Sequence, residues 1–184
     1  AALDDGTGQY IVQDVPMPEM FEGSAMIRIR QTGICGSDLH VTTSRTEAQT
    51  LPSGHEVAGE IVEIPKGDHD LQVGDRVAIE MIGGGRACMS CHFCSYGQWR
   101  HCLNMAVDTG GGFAQYMTRR PAGLFKIPDS MDWTDAALVE PMAVSVHGFR
   151  FGQMEPNSVV GVVGSATIGL SSIACARAFG ARTV

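Results

Sequence analysis

Short stretches in which apolar and polar residues alternate follow one another over the first 128 residues, separated by Gly, Pro and Asp. Alternation with a period of two predicts β-strands that bury one face and expose the other. The predicted strands cover residues 10–12, 26–30, 60–64, 73–79, 110–116 and 124–128. Repeated short strands joined by turn residues predict a small, strongly bent β-rich domain or barrel.

Two short helices are predicted after the last of these strands. Asp132 or Thr134 can cap the first helix, over residues 136–138. The second helix covers residues 142–149 and follows Pro141, whose missing N–H costs nothing in a first helical turn.

An apolar run rich in β-branched residues, SVVGVV, occupies residues 158–163 and is of the kind buried in parallel sheets. The run leads into the glycine turn GSATIG at residues 164–169 and an apolar helix over residues 170–179. Residues 180–184 have the composition of a turn into a second strand. A strand, a glycine-rich turn and a helix in this order open a dinucleotide-binding domain, where the helix N-terminus binds the pyrophosphate.

These patterns predict two domains, residues 1–150 and residues 151–184. The candidate cofactor-binding residues are Gly164, Ala166, Ile168 and Gly169. Ala166 stands where the usual fingerprint has its middle glycine, and the chain stops before the acidic residue that binds the ribose about 20 positions further on. We therefore expect the second domain to be a truncated one.

The amino-acid composition and net charge argue against some classes of binding partner. Of the 184 residues, 44% are hydrophobic and 18% charged, so the chain can bury a core. A net charge of -7 argues against nucleic acid and anionic membranes as partners. Because the sequence has neither a long apolar run nor a visible secretion signal, we expect a cytoplasmic protein without a membrane span.

Candidate catalytic chemistry lies in GICGSDLH at residues 33–40 and GHE at residues 54–56. Cys35, His55 and Glu56 are side chains of the kind that bind catalytic zinc, which takes about three protein ligands and keeps one position open. Each alone is more simply a structural cysteine or a surface histidine, but together and flanked by glycines they predict a catalytic metal site. The polar residues 41–52 between the motifs predict a loop with a short helix at most.

A second cluster contains four closely spaced cysteines. They are Cys88, Cys91, Cys94 and Cys102. Four thiolates in so short a loop can close a tetrahedral zinc site, and the metal then replaces the missing core. The rival is an iron–sulfur cluster, but the seven residues before Cys102 and the Leu103 after it do not fit the bacterial ferredoxin spacing. His92 and His101 could compete as ligands, although four cysteines make them unnecessary.

Together these motifs, with VGDRV at residues 73–77, resemble the zinc-containing medium-chain dehydrogenase/reductase family in family order over essentially the whole chain. The resemblance implies an α/β protein: a β-rich GroES-like catalytic domain with a structural zinc lobe, followed by the start of a Rossmann domain. It also implies that Cys35, His55 and Glu56 bind the catalytic zinc, and that the four cysteines of the lobe bind the structural zinc. The segment EPMAVSVH from Glu140 resembles the sorbitol, butanediol and threonine dehydrogenase branch.

The resemblance further implies a zinc-dependent alcohol or polyol dehydrogenase that transfers a hydride between a secondary alcohol and NAD or NADP, with NAD the commoner choice in this branch. Ser37 and His40 would relay the proton, since Ser37 is close to Cys35 and histidine titrates in the right range. Glu140 would be a fourth zinc ligand or would bind the zinc-bound water. Asp38 would be an anchor for the site or a helix cap. A small alcohol or polyol is the expected partner, with a homodimer or homotetramer for the full-length protein.

The alternative is a catalytically inactive zinc-stabilised fragment or binding module. One strand and one helix cannot complete a doubly wound sheet, and an exposed parallel edge is a liability. Zinc binding without nicotinamide binding would favour this alternative, whereas alcohol-dependent reduction of NAD would favour the enzyme.

Overall fold

The computed structural model of the protein describes residues 1–44, 46–107 and 109–184. The chain forms two compact units, Ala1–Ala137 and Leu138–Val184. The domain division expected after residue 150 stays a prediction. Among the helices of the described residues, none has both the length and the apolar character needed to cross a membrane.

The first unit is built on a five-stranded antiparallel sheet with a separate two-stranded hairpin. The strands are β1 Ala2–Asp4, β2 Tyr10–Val12, β3 Ala25–Gly33, β4 Glu56–Glu63, β5 Arg76–Ile79, β6 Tyr116–Arg119 and β7 Leu124–Lys126. In the sheet the order is β6-β3-β4-β5-β7, while β1 and β2 pair with each other in the hairpin. The alternation in the sequence explains the core, because the inward positions of these strands are apolar: Ile27 and Ile61 are paired across β3 and β4, and both are fully buried.

The described residues also form five α-helices. They are α1 Gly36–Ser44, α2 His92–Ser95, α3 Trp133–Ala137, α4 Val139–Phe151 and α5 Thr167–Ala178. As predicted, Asp132 caps α3, since its Oδ1 accepts a hydrogen bond of 2.8 Å from the N–H of Asp135. Pro141 lies in the first turn of α4, where a proline is tolerated.

Residues 41–44 belong to helix α1, which agrees with the short helix that the prediction allowed within residues 41–52. The structure differs from the sequence prediction at β6. This strand begins at Tyr116 rather than at residue 110. The glycine-rich residues 110–113 instead lie along another loop, where the N–H groups of Gly112 and Phe113 donate to the carbonyls of Gly54 and Ser53.

In the second unit, the predicted strand over residues 158–163 is reduced to one parallel bridge, Val159 to Thr183. The expectation that this run is buried is wrong for the described structure, because Val159 is 64% exposed and Val163 fully exposed. The physical reason is that a parallel strand is buried only by neighbouring strands and by helices on both faces. The predicted helix is confirmed as α5, which packs on α4.

Candidate metal centres and cofactor turn

The pairing of two long strands creates the first candidate metal centre. Strand β3 ends at Gly33, which is directly opposite Glu56, the first residue of β4. Cys35 follows β3 and His55 precedes β4, so both side chains emerge at the same end of the pair. One ligand atom each from Cys35, His55 and Glu56 lies within 4.8 Å of the others.

Gly33 makes room for one of these three side chains. A Cβ atom at this position would overlap the carboxylate of Glu56. Glu56 is itself buried, with 6% of its surface exposed. Because Gly33 has no side chain, the buried carboxylate of Glu56 can reach over this residue toward Cys35.

Asp38 connects the other two residues, Cys35 and His55. Its Oδ2 accepts a hydrogen bond of 2.9 Å from the N–H of Cys35, the residue before α1. Its Oδ1 lies 3.5 Å from Nδ1 of His55. A carboxylate at Nδ1 favours the tautomer with the proton on that nitrogen and leaves Nε2 for a metal ion. The same carboxylate also caps the start of the helix, as in a capping box.

The donor set and its spacing fit a zinc ion. Tetrahedral zinc with bonds of about 2.0–2.3 Å separates its ligand atoms by roughly 3.3–3.8 Å. The ligand atoms of Cys35, His55 and Glu56 lie within 4.8 Å of one another, so they need to move only slightly closer together to bind the ion. Cys35 and His55 are half-buried rather than buried, which suits a site that keeps one coordination position open.

The candidate relay residues lie on the helix beside this centre. Ser37 and His40 are both exposed residues of α1. Residues three apart on a helix are neighbours on one face. The structure therefore places the serine and the histidine next to each other, with the serine nearer to Cys35 in the chain.

A supporting loop behind the centre was missed by the sequence analysis. The N–H groups of Gly112 and Phe113 donate to the carbonyls of Gly54 at 2.9 Å and Ser53 at 2.8 Å. The ring of Phe113 packs against Gly54, whose φ of +92° suits glycine. Tyr10 stacks edge-on with Phe113 and shares a hydrogen bond of 2.9 Å with the Ser53 hydroxyl. The signal in the sequence was the run of three glycines before an aromatic residue.

The four-cysteine lobe forms the second candidate centre. The thiol sulfurs of Cys88, Cys91, Cys94 and Cys102 lie within 4.8 Å of one another. Cys91 Sγ is 3.5 Å from Cys94 Sγ and 4.0 Å from Cys102 Sγ, close to the separations in tetrahedral zinc sites. The six cysteines all belong to the described residues, and each is a free thiol.

Local hydrogen bonds and burial shift the pKa values of two thiols of this lobe in opposite directions. Hydrogen bonds from the hydroxyl and N–H of Ser90 lower the pKa of Cys88 to about 5. Burial raises the pKa of Cys94 to about 12, and the neighbouring thiols of Cys91 and Cys102 add to the shift. Cys88 is therefore a thiolate at neutral pH, whereas Cys94 keeps its proton until a metal ion displaces it.

Hydrogen bonds order the base of the lobe. The carboxylate of Glu80 accepts hydrogen bonds from the N–H groups of Ile82 at 2.8 Å and Gly83 at 2.7 Å. Arg86 and Ala106 close the loop, because the Ala106 N–H donates to the Arg86 carbonyl and Arg86 Nε donates to the Ala106 carbonyl, both at 2.9 Å. The lobe thus has a fixed base although it has little core of its own.

The glycine turn of the second unit has the form expected of a phosphate-binding turn. Gly164 has a φ of +103°, a conformation that favours glycine. A Cβ atom at Gly169 would overlap the carbonyl of Gly164, so the helix approaches the turn closely. Ala166 precedes α5 in extended conformation and makes no side-chain cap, and the first helical bond runs from the Leu170 N–H to its carbonyl. The first-turn N–H groups therefore point out of the helix N-terminus, as in anion-binding turns.

Glu140 lies in the first turn of α4, in the second unit. Its predicted role at the first metal centre stays a prediction.

Comparison with known proteins identifies the family. Residues 22–129 match the Alcohol dehydrogenase GroES-like domain, which is more than half of the chain. The chain belongs to the zinc-containing medium-chain dehydrogenase/reductase family. The predicted fold class is thereby confirmed: a β-rich GroES-like domain with a four-cysteine lobe, followed by the opening of a Rossmann domain.

Individual members of the medium-chain family are similar over the whole chain. Sorbitol dehydrogenase of Bacillus subtilis is 33% identical over 193 residues, which cover 100% of this chain and 54% of that protein. L-threonine 3-dehydrogenase of Francisella philomiragia is 33% identical over 192 residues, again 100% of this chain and 54% of that protein. The crystal structure of galactitol-1-phosphate dehydrogenase from Escherichia coli superposes with a TM-score of 0.83 at 31% identity, covering 98% of this chain and 53% of that chain. The chain spans about half the length of these relatives.

Proposed function

We propose that the protein acts as a zinc-dependent oxidoreductase that transfers a hydride between a secondary alcohol or polyol and a nicotinamide cofactor. The observation that supports this most directly is the convergence of Cys35, His55 and Glu56 at the end of the β3–β4 pair. A thiolate, an imidazole and a carboxylate with one open position form a donor set suited to catalytic zinc. Similarity to a sorbitol and a threonine dehydrogenase supports a hydroxyl compound as substrate.

In this proposal Cys35, His55 and Glu56 hold the catalytic zinc, and Glu140 is a fourth ligand or binds the zinc-bound water, as the family resemblance implies. A bound zinc ion would polarise the hydroxyl oxygen of the alcohol and lower its pKa. Asp38 keeps the Cys35 backbone and the His55 ring in place by its two carboxylate oxygens.

Ser37 and His40 move the hydroxyl proton to solvent. The Ser37 hydroxyl can accept that proton while donating its own, because one hydroxyl is both donor and acceptor. His40, three residues further on α1 and exposed to solvent, can take the proton from Ser37, because a neutral imidazole has one nitrogen that accepts a proton and one that donates. Relay through His40 makes the reaction rate depend on whether this imidazole is free to accept a proton, and therefore on pH.

The turn at Gly164, Ala166, Ile168 and Gly169 binds the pyrophosphate of the nicotinamide cofactor. Support comes from the positive φ of Gly164 and the uncapped N-terminus of α5, which together offer backbone N–H groups to an anion. We favour NAD over NADP only because NAD is the commoner cofactor in the branch that the sequence resembles.

Cys88, Cys91, Cys94 and Cys102 hold a second, structural zinc ion. This ion closes the lobe and substitutes for a hydrophobic core there. A homodimer or homotetramer and a cytoplasmic location complete the proposal.

Metal analysis followed by an activity screen tests the proposal. We expect the protein to bind zinc at both centres and to reduce NAD in the presence of a secondary alcohol or polyol. Sorbitol, butanediol and threonine are the first substrates to try, each with NAD and with NADP. Glu56→Gln should lose activity, with Glu63→Gln, an exposed residue at the other end of β4, as the matched control.

Zinc at the lobe alone, together with no reduction of either cofactor, would instead identify an inactive zinc-stabilised module. For the relay, His40→Ala should lower the rate and remove its dependence on pH near neutrality. An unchanged pH profile in this variant would exclude His40 from the proton path.

A further inference from the structure

The first unit contains a fully buried arginine. Arg119, at the end of β6, is 1% exposed. Its Nη1 donates to the carbonyls of Thr109 at 3.1 Å and Thr118 at 2.7 Å, and its Nη2 donates to the carbonyl of Gly110 at 2.7 Å. Burial lowers the pKa of this guanidinium, and the positive charge of Arg86 adds to the effect. Three backbone carbonyls therefore stabilise a charge that the core would otherwise exclude.

Two of those carbonyls belong to the start of the supporting loop, residues 109–113. The end of the same loop donates two backbone hydrogen bonds, from Gly112 and Phe113, to Gly54 and Ser53. A Cβ atom at Gly111 would overlap the carbonyls of Ser53 and Gly54, so the two backbones are in direct contact. His55 and Glu56 follow Gly54 directly in the chain. A displacement of residues 109–111 therefore shifts the backbone that carries two of the three zinc ligands.

The stem of Arg119 packs closely against Gly85. A Cβ atom at Gly85 would lie 2.9 Å from Arg119 Cδ, and the N–H of Arg120 donates to the Gly85 carbonyl at 2.8 Å. Gly85 belongs to the base of the lobe, where its N–H donates to the Glu80 carboxylate at 3.2 Å. Arg119 therefore contacts the backbone at Gly85 with its stem and the supporting loop with its guanidinium.

Packing alone does not explain this residue. Within the described part of the chain, Nε of Arg119 has no hydrogen-bond partner. Replacing buried charged groups by apolar side chains of similar volume is often neutral or stabilising. An apolar residue would therefore fill this space at lower cost, but it could not bind the carbonyls of the loop.

We infer that Arg119 is a positioning residue for the first metal centre: its guanidinium holds residues 109–113, and through them Ser53 and Gly54, in the place that directs His55 and Glu56 to the metal. The inference rests on the zinc site proposed for Cys35, His55 and Glu56. It assigns Arg119 no contact with substrate, cofactor or metal.

Competition with a chromophoric zinc chelator tests this role without any activity measurement. Zinc affinity is measured separately for the two centres, and a Cys35→Ser variant identifies the signal of the first centre. We expect Arg119→Met to bind zinc at the first centre about 10- to 100-fold more weakly, the range found when residues supporting metal ligands are removed. Affinity at the lobe should not change.

Arg120→Met is the matched control. Arg120 is the next residue of the chain and also donates to a carbonyl, but this is the carbonyl of Glu22, at 2.9 Å, which lies outside residues 109–113. We expect zinc affinity at both centres to be unchanged in this variant. Arg119→Lys keeps the charge but not the planar fork that binds several carbonyls, so it should also weaken the first centre. The lysine variant decides the question if the methionine variant does not fold.

Unchanged affinity at the first centre in the folded Arg119 variants would overturn the inference, and so would equal weakening at both centres, which indicates a general loss of stability. A wild-type protein that binds zinc only at the lobe would refute the proposed catalytic site itself, and the inference with it. Two zinc ions in the wild type and normal affinities in the Arg119 variants would refute the inference alone.

Discussion

Oδ1 of Asp38 lies 3.5 Å from Nδ1 of His55, while Oδ2 of the same carboxylate accepts a hydrogen bond of 2.9 Å from the N–H of Cys35. One side chain thus connects two candidate zinc ligands that are 20 residues apart in the sequence. Asp38 is also buried, so water screens these interactions only weakly.

Asp38→Asn tests this connection. The amide can still accept the Cys35 hydrogen bond, but it no longer offers a negative charge to His55. We expect zinc at the first centre to bind about 10- to 100-fold more weakly, measured by chelator competition. Asp5→Asn is a suitable control, because the Asp5 carboxylate accepts hydrogen bonds from Thr7 and Gln9 within an exposed turn. Equal zinc affinity in the two variants would show that the carboxylate does not support the metal site.

Gly33→Ala should damage the same centre by a steric route. The added methyl group would overlap the Glu56 carboxylate, which must then move away from Cys35 and His55. We expect the first centre to lose zinc affinity by about tenfold or more, a loss comparable to that from disturbing supporting residues. Metal analysis after dialysis against a weak chelator measures the loss.

Gly36→Ala is the control for that substitution. Gly36 lies in the same motif at the start of α1, and a Cβ atom there meets nothing within 4 Å. Alanine also favours helix formation over glycine, so this variant should fold normally and retain its zinc. If the two variants hold zinc equally well, the space above Gly33 is not needed for metal binding.

Cys94→Ser tests the structural zinc. Cys94 is the buried cysteine of the lobe, and a hydroxyl does not replace a thiolate at zinc. We expect loss of one zinc ion per chain and a lower melting temperature, because metal binding and folding of the lobe are coupled. Cys175→Ser changes another buried cysteine, on α5, and should retain the full zinc content. A Cys94→Ser variant with full zinc content would contradict the assignment of the lobe.

Zinc binding to the lobe should release protons and become tighter as the pH rises. Burial raises the pKa of Cys94 to about 12, so this thiol is protonated in the metal-free protein at neutral pH and loses its proton to bind zinc. Cys88, with its pKa lowered to about 5 by Ser90, is already ionised and contributes no proton. Protons compete with zinc for Cys94, so the affinity must fall as the pH falls.

Calorimetric titration of the Cys35→Ser variant with zinc, in two buffers of different ionisation enthalpy, counts these protons. We expect at least one proton per zinc but fewer than the four that four neutral thiols would release. An affinity independent of pH, with no protons released, would contradict this account.

Much of the fold was predictable from local patterns. Alternation revealed β3, β4 and β5, because each buries one face against a common core. The same reasoning placed the strand at residues 110–116 too early, since glycines there bind another loop instead of a strand. It also expected residues 158–163 to be buried, although burial of a parallel strand depends on neighbours that the strand itself does not encode.

The sequence by itself determined both groups of candidate ligands. The thiols of the lobe lie within a short segment, Cys88 to Cys102, so local chain closure is enough to bring them together. The residues around Cys35 are recognisable because their types and flanking glycines suit a catalytic zinc ion.

Only the tertiary structure decided how the first centre is supported. The register of β3 with β4 places Gly33 opposite Glu56, and the packing of residues 109–113 on Ser53 and Gly54 brings in Arg119 from β6. These contacts join segments that are far apart in the chain. Their geometry follows from strand register and backbone packing, which no local pattern of residues specifies.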